Sequence, residues 1–219
     1  MLTAWRRALL DLIYPPKCPV CRAEVTEHGA WCQPCLAAVG GARLINVAEH
    51  RLKYLDACYA VCDYTAGVQK IIRHLKFRQA ERYARHLAWL VARSGAAEYG
   101  RGCQAVVPVP LDAERRKERG YNQTELIFRE WAAAQGLVWL DVLARCRPTA
   151  PQWRLTLAER RQNIKGAFYV TRPEVVAGKN LLLVDDIFTT GVTMDECARM
   201  LKAAGARRVL GLAVASGAV

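Results

Sequence analysis

The chain has 219 residues, 53% of them hydrophobic, with a mean hydropathy of −0.01. That length supports one well-buried domain plus a small appendage, and the absence of any apolar run near the roughly 18–20 residues of a membrane span argues against a transmembrane protein. The formal net charge of +12 is concentrated in residues 51–180, which carry 23 basic against 12 acidic residues. Such an excess points to an anionic partner, nucleic acid or a small polyphosphate, although an arginine-rich chain can be basic without one.

Residues 1–13 of "MLTAWRRALLDLIYPPKC" predict an amphipathic helix packing on its own protein. The segment briefly imitates a secretory signal, but Asp11 interrupts the apolar stretch and no small-residue cleavage site follows. With no secretory signal, the nine cysteines point to a reducing, cytoplasmic setting in preference to disulfides. Four of them form C-x2-C-x10-C-x2-C: Cys18 and Cys21 in "CPVC", Cys32 and Cys35 in "CQPC". Each C-x-x-C turn can direct two thiolates at one tetrahedral ion, and four thiolates suit a closed, structural Zn²⁺ site. A zinc ribbon over residues 14–42 follows, with a metal-free knuckle as the alternative. A redox role would need a strand-to-helix context that is absent here. The ribbon has too little apolar mass to fold unaided, so metal would hold it. Its role would be docking or recognition.

After a linker containing "AAVGGARLINVAEH", residues 54–64 read as a strand with Cys58 and Cys62 as buried structural residues on one face. Residues 66–93 read as a helix in two pieces, broken near Phe77–Gln79, with an apolar face including Val68, Ile71, Ile72 and Leu75 and a basic face including Lys70, Arg73, Lys76, Arg82 and Arg85. A strand is expected over 105–111, a helix over 122–136 capped by Asn122, and a strand over 137–146. Residues 147–168 are polar, basic and proline-punctuated, and read as a loop with a helical turn or two. A buried strand over 180–186, a helix over 193–206 and a strand over 207–216 complete the chain. This alternation predicts an α/β domain over residues 54–219: a mostly parallel twisted sheet flanked by helices, preceded by the small zinc-ribbon module.

The most informative stretch is "LLLVDDIFTTGVT", residues 181–193. It reads as strand, turn, helix N-terminus, and ligands of open α/β sheets bind beyond the carboxyl ends of strands. In "TTGVT" successive backbone N–H groups and three hydroxyls gather at the positive end of a helix, which makes a phosphate cradle. Asp185 and Asp186 stand just before it, suited to adjacent hydroxyls of a sugar. A ribose 5-phosphate satisfies both halves. The stretch is neither a Walker P-loop nor G-x-G-x-x-G. A Mg²⁺ carboxylate pair or a phosphorylated aspartate would leave the threonine-glycine turn without a purpose.

"LLLVDDIFTTGVT" resembles the phosphoribosyl-pyrophosphate (PRPP) motif of type I phosphoribosyltransferases. Together with "CPVC…CQPC", "VVPVPL…RRKERGYNQTE" and "RRQNIKGAFYV", it makes residues 14–217 resemble the ComF (competence protein F) family, which includes the GntX-type proteins. The resemblance implies a type I phosphoribosyltransferase fold binding PRPP with Mg²⁺. It assigns Asp185 and Asp186 to the ribose hydroxyls, and Thr189, Thr190, Gly191, Val192 and Thr193 to the 5-phosphate. It assigns Pro108, Val109, Pro110 and Leu111 to the pyrophosphate loop, with Arg115 and Arg119 close behind. It gives Gln152, Arg160 and Asn163 to a flexible loop closing over the ligand. The reaction implied is displacement of pyrophosphate at the anomeric carbon by an acceptor that the sequence does not name. The alternative is a PRPP- or nucleotide-binding accessory of DNA uptake that binds single-stranded DNA beside competence-machinery proteins. No clear platform of alternating aromatics supports that binding.

Overall fold

The computed structural model describes residues 11, 14–77, 80–150 and 155–217. The expected N-terminal helix, apart from Asp11, lies outside the described residues, as does Gln152. Six strands form the main sheet: β1 (Arg43–Ile45), β2 (Ala57–Asp63), β3 (Ala105–Pro108), β4 (Val138–Trp139), β7 (Asn180–Phe188) and β8 (Arg208–Ser216). Their order is β1-β2-β8-β7-β3-β4. Only β1 runs antiparallel to its neighbour, so the sheet is mostly parallel, as expected. Two short strands, β5 (Leu143–Arg145) and β6 (Phe168–Val170), pair separately as an antiparallel ribbon.

The helices are α1 (Gln33–Ala37), α2 (Ala66–Phe77), α3 (Ala84–Arg93), α4 (Ala96–Tyr99), α5 (Ala113–Arg119), α6 (Gln123–Ala134), α7 (Leu157–Ile164) and α8 (Val192–Ala203). The apolar residues of α2, α3 and α6 pack with Leu182, Val184 and Leu212 in one buried cluster. Met194, Cys197, Ala198 and Leu201 of α8 pack with Leu181, Leu183 and Val209 in the other. The continuous apolar run of β7 therefore feeds both layers, as a central parallel strand must.

Connectivity decides where a crevice opens. From β3 the chain passes through α5 and α6 to β4, on one side; from β7 it passes through α8 to β8, on the other. β3 and β7 are neighbours, so their outgoing connections diverge and leave a gap beyond their carboxyl ends.

Several elements differ from expectation. The linker contains β1, an edge strand paired with β2. Strand β2 begins at Ala57, not at residue 54, because the amides of Lys53, Tyr54 and Leu55 donate to the Asp195 carboxylate at 2.7–3.2 Å instead of to a strand. The strand expected over 137–146 divides into β4 and β5: the Leu140 amide makes a last bond to the Val106 carbonyl, and the chain then leaves the main sheet. Helix α5 was not anticipated; Asp112 caps it through the Glu114 amide and Gly120, at φ 79°, ends it. Cys58 and Cys62 are both buried, but they contribute to different apolar clusters instead of sharing one.

Candidate functional site: a cleft at the ends of β3 and β7

Residues 189–191 turn the end of β7 into α8. Gly191 has φ 73°, and a Cβ there would fall 2.5 Å from Leu52 Cδ1 and 2.7 Å from the Phe188 ring. Glycine is thus required by the turn's handedness and by its close internal packing. Gly191, as the N-cap, has no side chain to cap the helix that follows. Thr189 and Thr193 line a cleft of about 470 Å³ that opens beside them.

The cleft gathers Asp185 and Asp186 from β7, Val109, Pro110 and Leu111 from the loop after β3, and Arg115 and Arg119 from α5. Pro108 is buried and pairs with Val184 in the sheet, and Gly191 and Val192 are buried at the helix start; none of the three lines the cleft. Thr190 is partly exposed beside it. Arg160 donates to the Leu155 carbonyl at 2.9 Å, while Asn163 exchanges two 3.0 Å bonds with the backbone of Ala150. Neither residue lines the cleft.

The cleft residues that sequence reasoning missed include Lys76, Phe77, Gln123 and Arg145. Lys76 Nζ lies 2.9 and 2.7 Å from the two carboxylate oxygens of Asp186, and Gln123 Nε2 donates to one of them at 3.1 Å. Arg119 in turn donates to Gln123 Oε1 at 2.9 Å. Arg145 donates to the Pro110 carbonyl at 3.1 Å and to the Thr149 hydroxyl at 2.6 Å, which fixes it over the loop after β3. Lys76 could be seen only as part of a basic helix face, and Gln123 only as a helix-start residue. No local pattern marks either as reaching residue 186. The helical turns at Leu157–Ile164 do have a local signal, since Thr156 and Glu159 form a capping box.

The cleft is cationic, with Lys76, Arg115, Arg119 and Arg145 facing Asp185, Asp186 and Glu118. Burial, reinforced by the adjacent Asp186 charge and opposed by Lys76, raises the Asp185 carboxyl to about 7. Burial lowers Arg119, against the pull of Asp186.

The second cluster is the ribbon. The Sγ atoms of Cys18, Cys21, Cys32 and Cys35 all lie within 4.8 Å of one another, and all four cysteines are free of disulfides. Tetrahedral Zn–S bonds of about 2.3 Å separate sulfurs by roughly 3.8 Å, so the donor set and its compactness fit one structural zinc. The ribbon is also packed firmly on α2 and α3. Trp31 joins the cluster of Ile71, Ile72 and Leu75 and donates to the His86 carbonyl at 3.0 Å, and His86 Nδ1 donates to the Gly29 carbonyl at 3.0 Å.

Among known proteins, residues 9–43 match the double zinc ribbon domain and residues 142–216 match the phosphoribosyl transferase domain. The DNA utilization protein YhgH of Salmonella typhimurium is 31% identical over 198 residues, covering 88% of this chain and 86% of the relative. The chain belongs to the ComF family. Competence protein F of Haemophilus influenzae, 28% identical over 206 residues, covers 89% of this chain and is itself covered to 82%. Among solved structures, the allosteric regulatory enzyme of purine biosynthesis overlaps 65% of this ComF-family chain, and 30% of its own, at a TM-score of 0.41 and 21% identity. No helix among the described residues is long and apolar enough to cross a membrane. Lys76 and Gln123, and the arginines of α5, fall between the two matched domains.

Proposed function

We propose that this ComF-family protein binds PRPP, carried as its Mg²⁺ complex, in the β3/β7 cleft and transfers the phosphoribosyl group to an acceptor. The observation that carries the reading is the convergence in one cleft of the Asp185 carboxylate, the uncapped N-terminus of α8 with Thr189 and Thr193, and four cations. The amides and hydroxyls of Thr189, Thr190, Gly191, Val192 and Thr193 would hold the 5-phosphate, where the helix dipole favours negative charge. The loop Pro108–Leu111, with Arg115 and Arg119, would take the pyrophosphate; forked guanidinium donors suit that group. In the reaction a bond forms between the acceptor and the anomeric carbon while the bond from that carbon to the pyrophosphate oxygen breaks. The leaving electron pair and the accumulating charge go to pyrophosphate, where Arg115, Arg119 and a Mg²⁺ carried with PRPP would stabilise them. Asp185, beside the ribose, would stabilise positive charge developing on the ring. Gln152, with Arg160 and Asn163, belongs to the segment expected to close over the ligand.

Calorimetric titration with PRPP and Mg²⁺ tests this. The wild type should bind in the micromolar range, and Asp185→Asn/Asp186→Asn should abolish the heat. An absence of binding by the wild type would refute the reading.

A specific observation favours a second reading, single-stranded nucleic acid binding in support of DNA uptake, for which the names of the relatives also speak. A groove of about 320 Å³ between the ribbon and the start of α3 is lined by Lys17, Arg22, Arg82 and Arg85 with Tyr14 and Tyr83. Among the described residues none of these four cations has a carboxylate partner within ion-pair distance. Anisotropy of a labelled single-stranded oligonucleotide should show salt-sensitive binding, with a salt slope that flattens in Arg82→Ala/Arg85→Ala. An unchanged slope would remove the groove from the account.

A further inference from the structure

Adjacent residues of a strand point to opposite faces of its sheet. Along β7, Leu181 and Leu183 enter the cluster beneath α8, whereas Leu182 and Val184 enter the cluster beneath α2 and α6. Asp185 continues the first row and Asp186 the second. The contacts agree: Asp186 is met by Lys76 of α2 and Gln123 of α6. Asp186 is only 3% exposed, and both of its oxygens already accept hydrogen bonds from these two residues. Asp185 is partly exposed in the same cleft, and one of its oxygens accepts the Asp186 amide at 2.8 Å.

We infer that the twin aspartates divide their work, with Asp185 facing the ligand and Asp186 anchoring Lys76, which makes Lys76 a positioning residue of the site. This rests on the ribose-phosphate reading above, and it departs from the equal roles that the PRPP-motif resemblance gives the two carboxylates.

The inference explains the adjacency itself. Two carboxylates side by side on a buried strand end repel each other and resist ionisation. Lys76 neutralises the inner one, so the outer one can carry the charge that a sugar hydroxyl needs as an acceptor. Gln123 completes the inner carboxylate's hydrogen bonds and links it to Arg119 on the pyrophosphate side. Lys76 owes its position to α2, whose Val68, Ile71, Ile72 and Leu75 are buried in the cluster that also holds Trp31 of the ribbon. Other charged groups facing the pair are Arg115, Glu118 and Arg119 from α5 and Arg145 from β5. The Asp185 charge also acts on two buried thiols, Cys58 from β2 and Cys197 from α8.

The test compares single variants by PRPP–Mg²⁺ calorimetry as a function of pH. Asp185→Asn should weaken binding by about 10- to 100-fold, the range for a lost charged hydrogen bond, and Asp186→Asn by less than about fivefold. Lys76→Met should move the pH midpoint of binding upward, and Lys76→Arg should restore it. Equal losses in the two aspartate variants, or an unmoved midpoint in Lys76→Met, would overturn the inference. The ¹³C carboxyl signals of the two aspartates, followed against pH in the ligand-free protein, give a readout independent of PRPP. In Lys76→Met the Asp185 midpoint should rise, because the Lys76 charge that opposes its upward shift is lost, and no rise would overturn the inference. Failure of the wild type to bind PRPP would instead count against the proposed function, with the carboxyl titration still deciding what Lys76 does.

Discussion

The zinc ribbon and the β3/β7 cleft both bring charged or ligating side chains together, but they are built in opposite ways. The ribbon's four thiols come from 18 consecutive positions, Cys18 to Cys35, and their spacing is itself the design. The cleft draws Lys76 from α2, Arg115 from α5, Gln123 from α6, Arg145 from β5 and Asp185 from β7, segments related only through the sheet. A site made from one short loop depends on its ligand to fold, whereas a site made from many elements depends on the fold to exist. The two should therefore fail differently when disturbed.

Metal removal should have the largest effect. Apparent zinc-binding free energies of about 10–16 kcal/mol in small thiolate modules amount to folding free energy. Cys18→Ser or a strong chelator should release zinc, unfold the ribbon and expose Trp31, which is 5% exposed in the folded chain. Zinc content and tryptophan fluorescence report this. Because the ribbon reaches the cleft only through α2, PRPP affinity should fall by less than about tenfold. Complete loss of affinity with the metal would show the two regions to be one unit.

Gly191→Ala disturbs the cleft from inside. A left-handed φ and a methyl driven against Leu52 and Phe188 should together cost about 2–4 kcal/mol. For a chain of this size the melting temperature should drop by roughly 5–15 °C, with the ribbon's zinc retained. A melting temperature within a degree of wild type would mean that the turn adapts freely.

Protonation should separate the regions more gently. The Asp185 carboxyl is raised from 3.8 to about 7 in the folded protein, by burial and by Asp186. A raised carboxyl binds its proton more tightly when folded than when unfolded, so this group's contribution to stability falls as pH climbs from about 4 to about 7. In the proposed complex the ionised carboxylate is the acceptor, so PRPP affinity should move the opposite way and rise through about pH 7. Calorimetry and thermal melts between pH 5 and 8 would show the two trends crossing, and parallel trends would remove Asp185 from the ligand. The smallest effect belongs to Glu27→Gln, on the ribbon's exposed contact with Trp89 and Arg93. Exposed pairs of this kind contribute little, and melting curves should barely move.

The same contrast governs what could be read in the sequence. The cysteine spacing, the apolar run of β7 and the threonine-glycine turn are local, and each is governed by chemistry within a dozen residues. The alternation of strands and helices gave the sheet in outline. What escaped was set by partners far along the chain. Lys76 meets Asp186 across 110 positions. The Asp195 carboxylate holds the 53–55 amides across 140 or more positions, which shortens β2. The division of 137–146 into two strands follows from where its pairing with β3 stops, at Val106. Arg160 and Asn163 bond to backbone within their own loop, and no sequence pattern foretold those partners.

The measurement that bears most directly on the cleft is an ¹⁵N amide titration with PRPP and Mg²⁺. The account predicts that the amides of Gly191, Val192 and Thr193 move most, since they lead α8 toward the phosphate. Saturable shifts centred instead on Arg82–His86 and the ribbon, with the 191–193 amides unmoved, would contradict it.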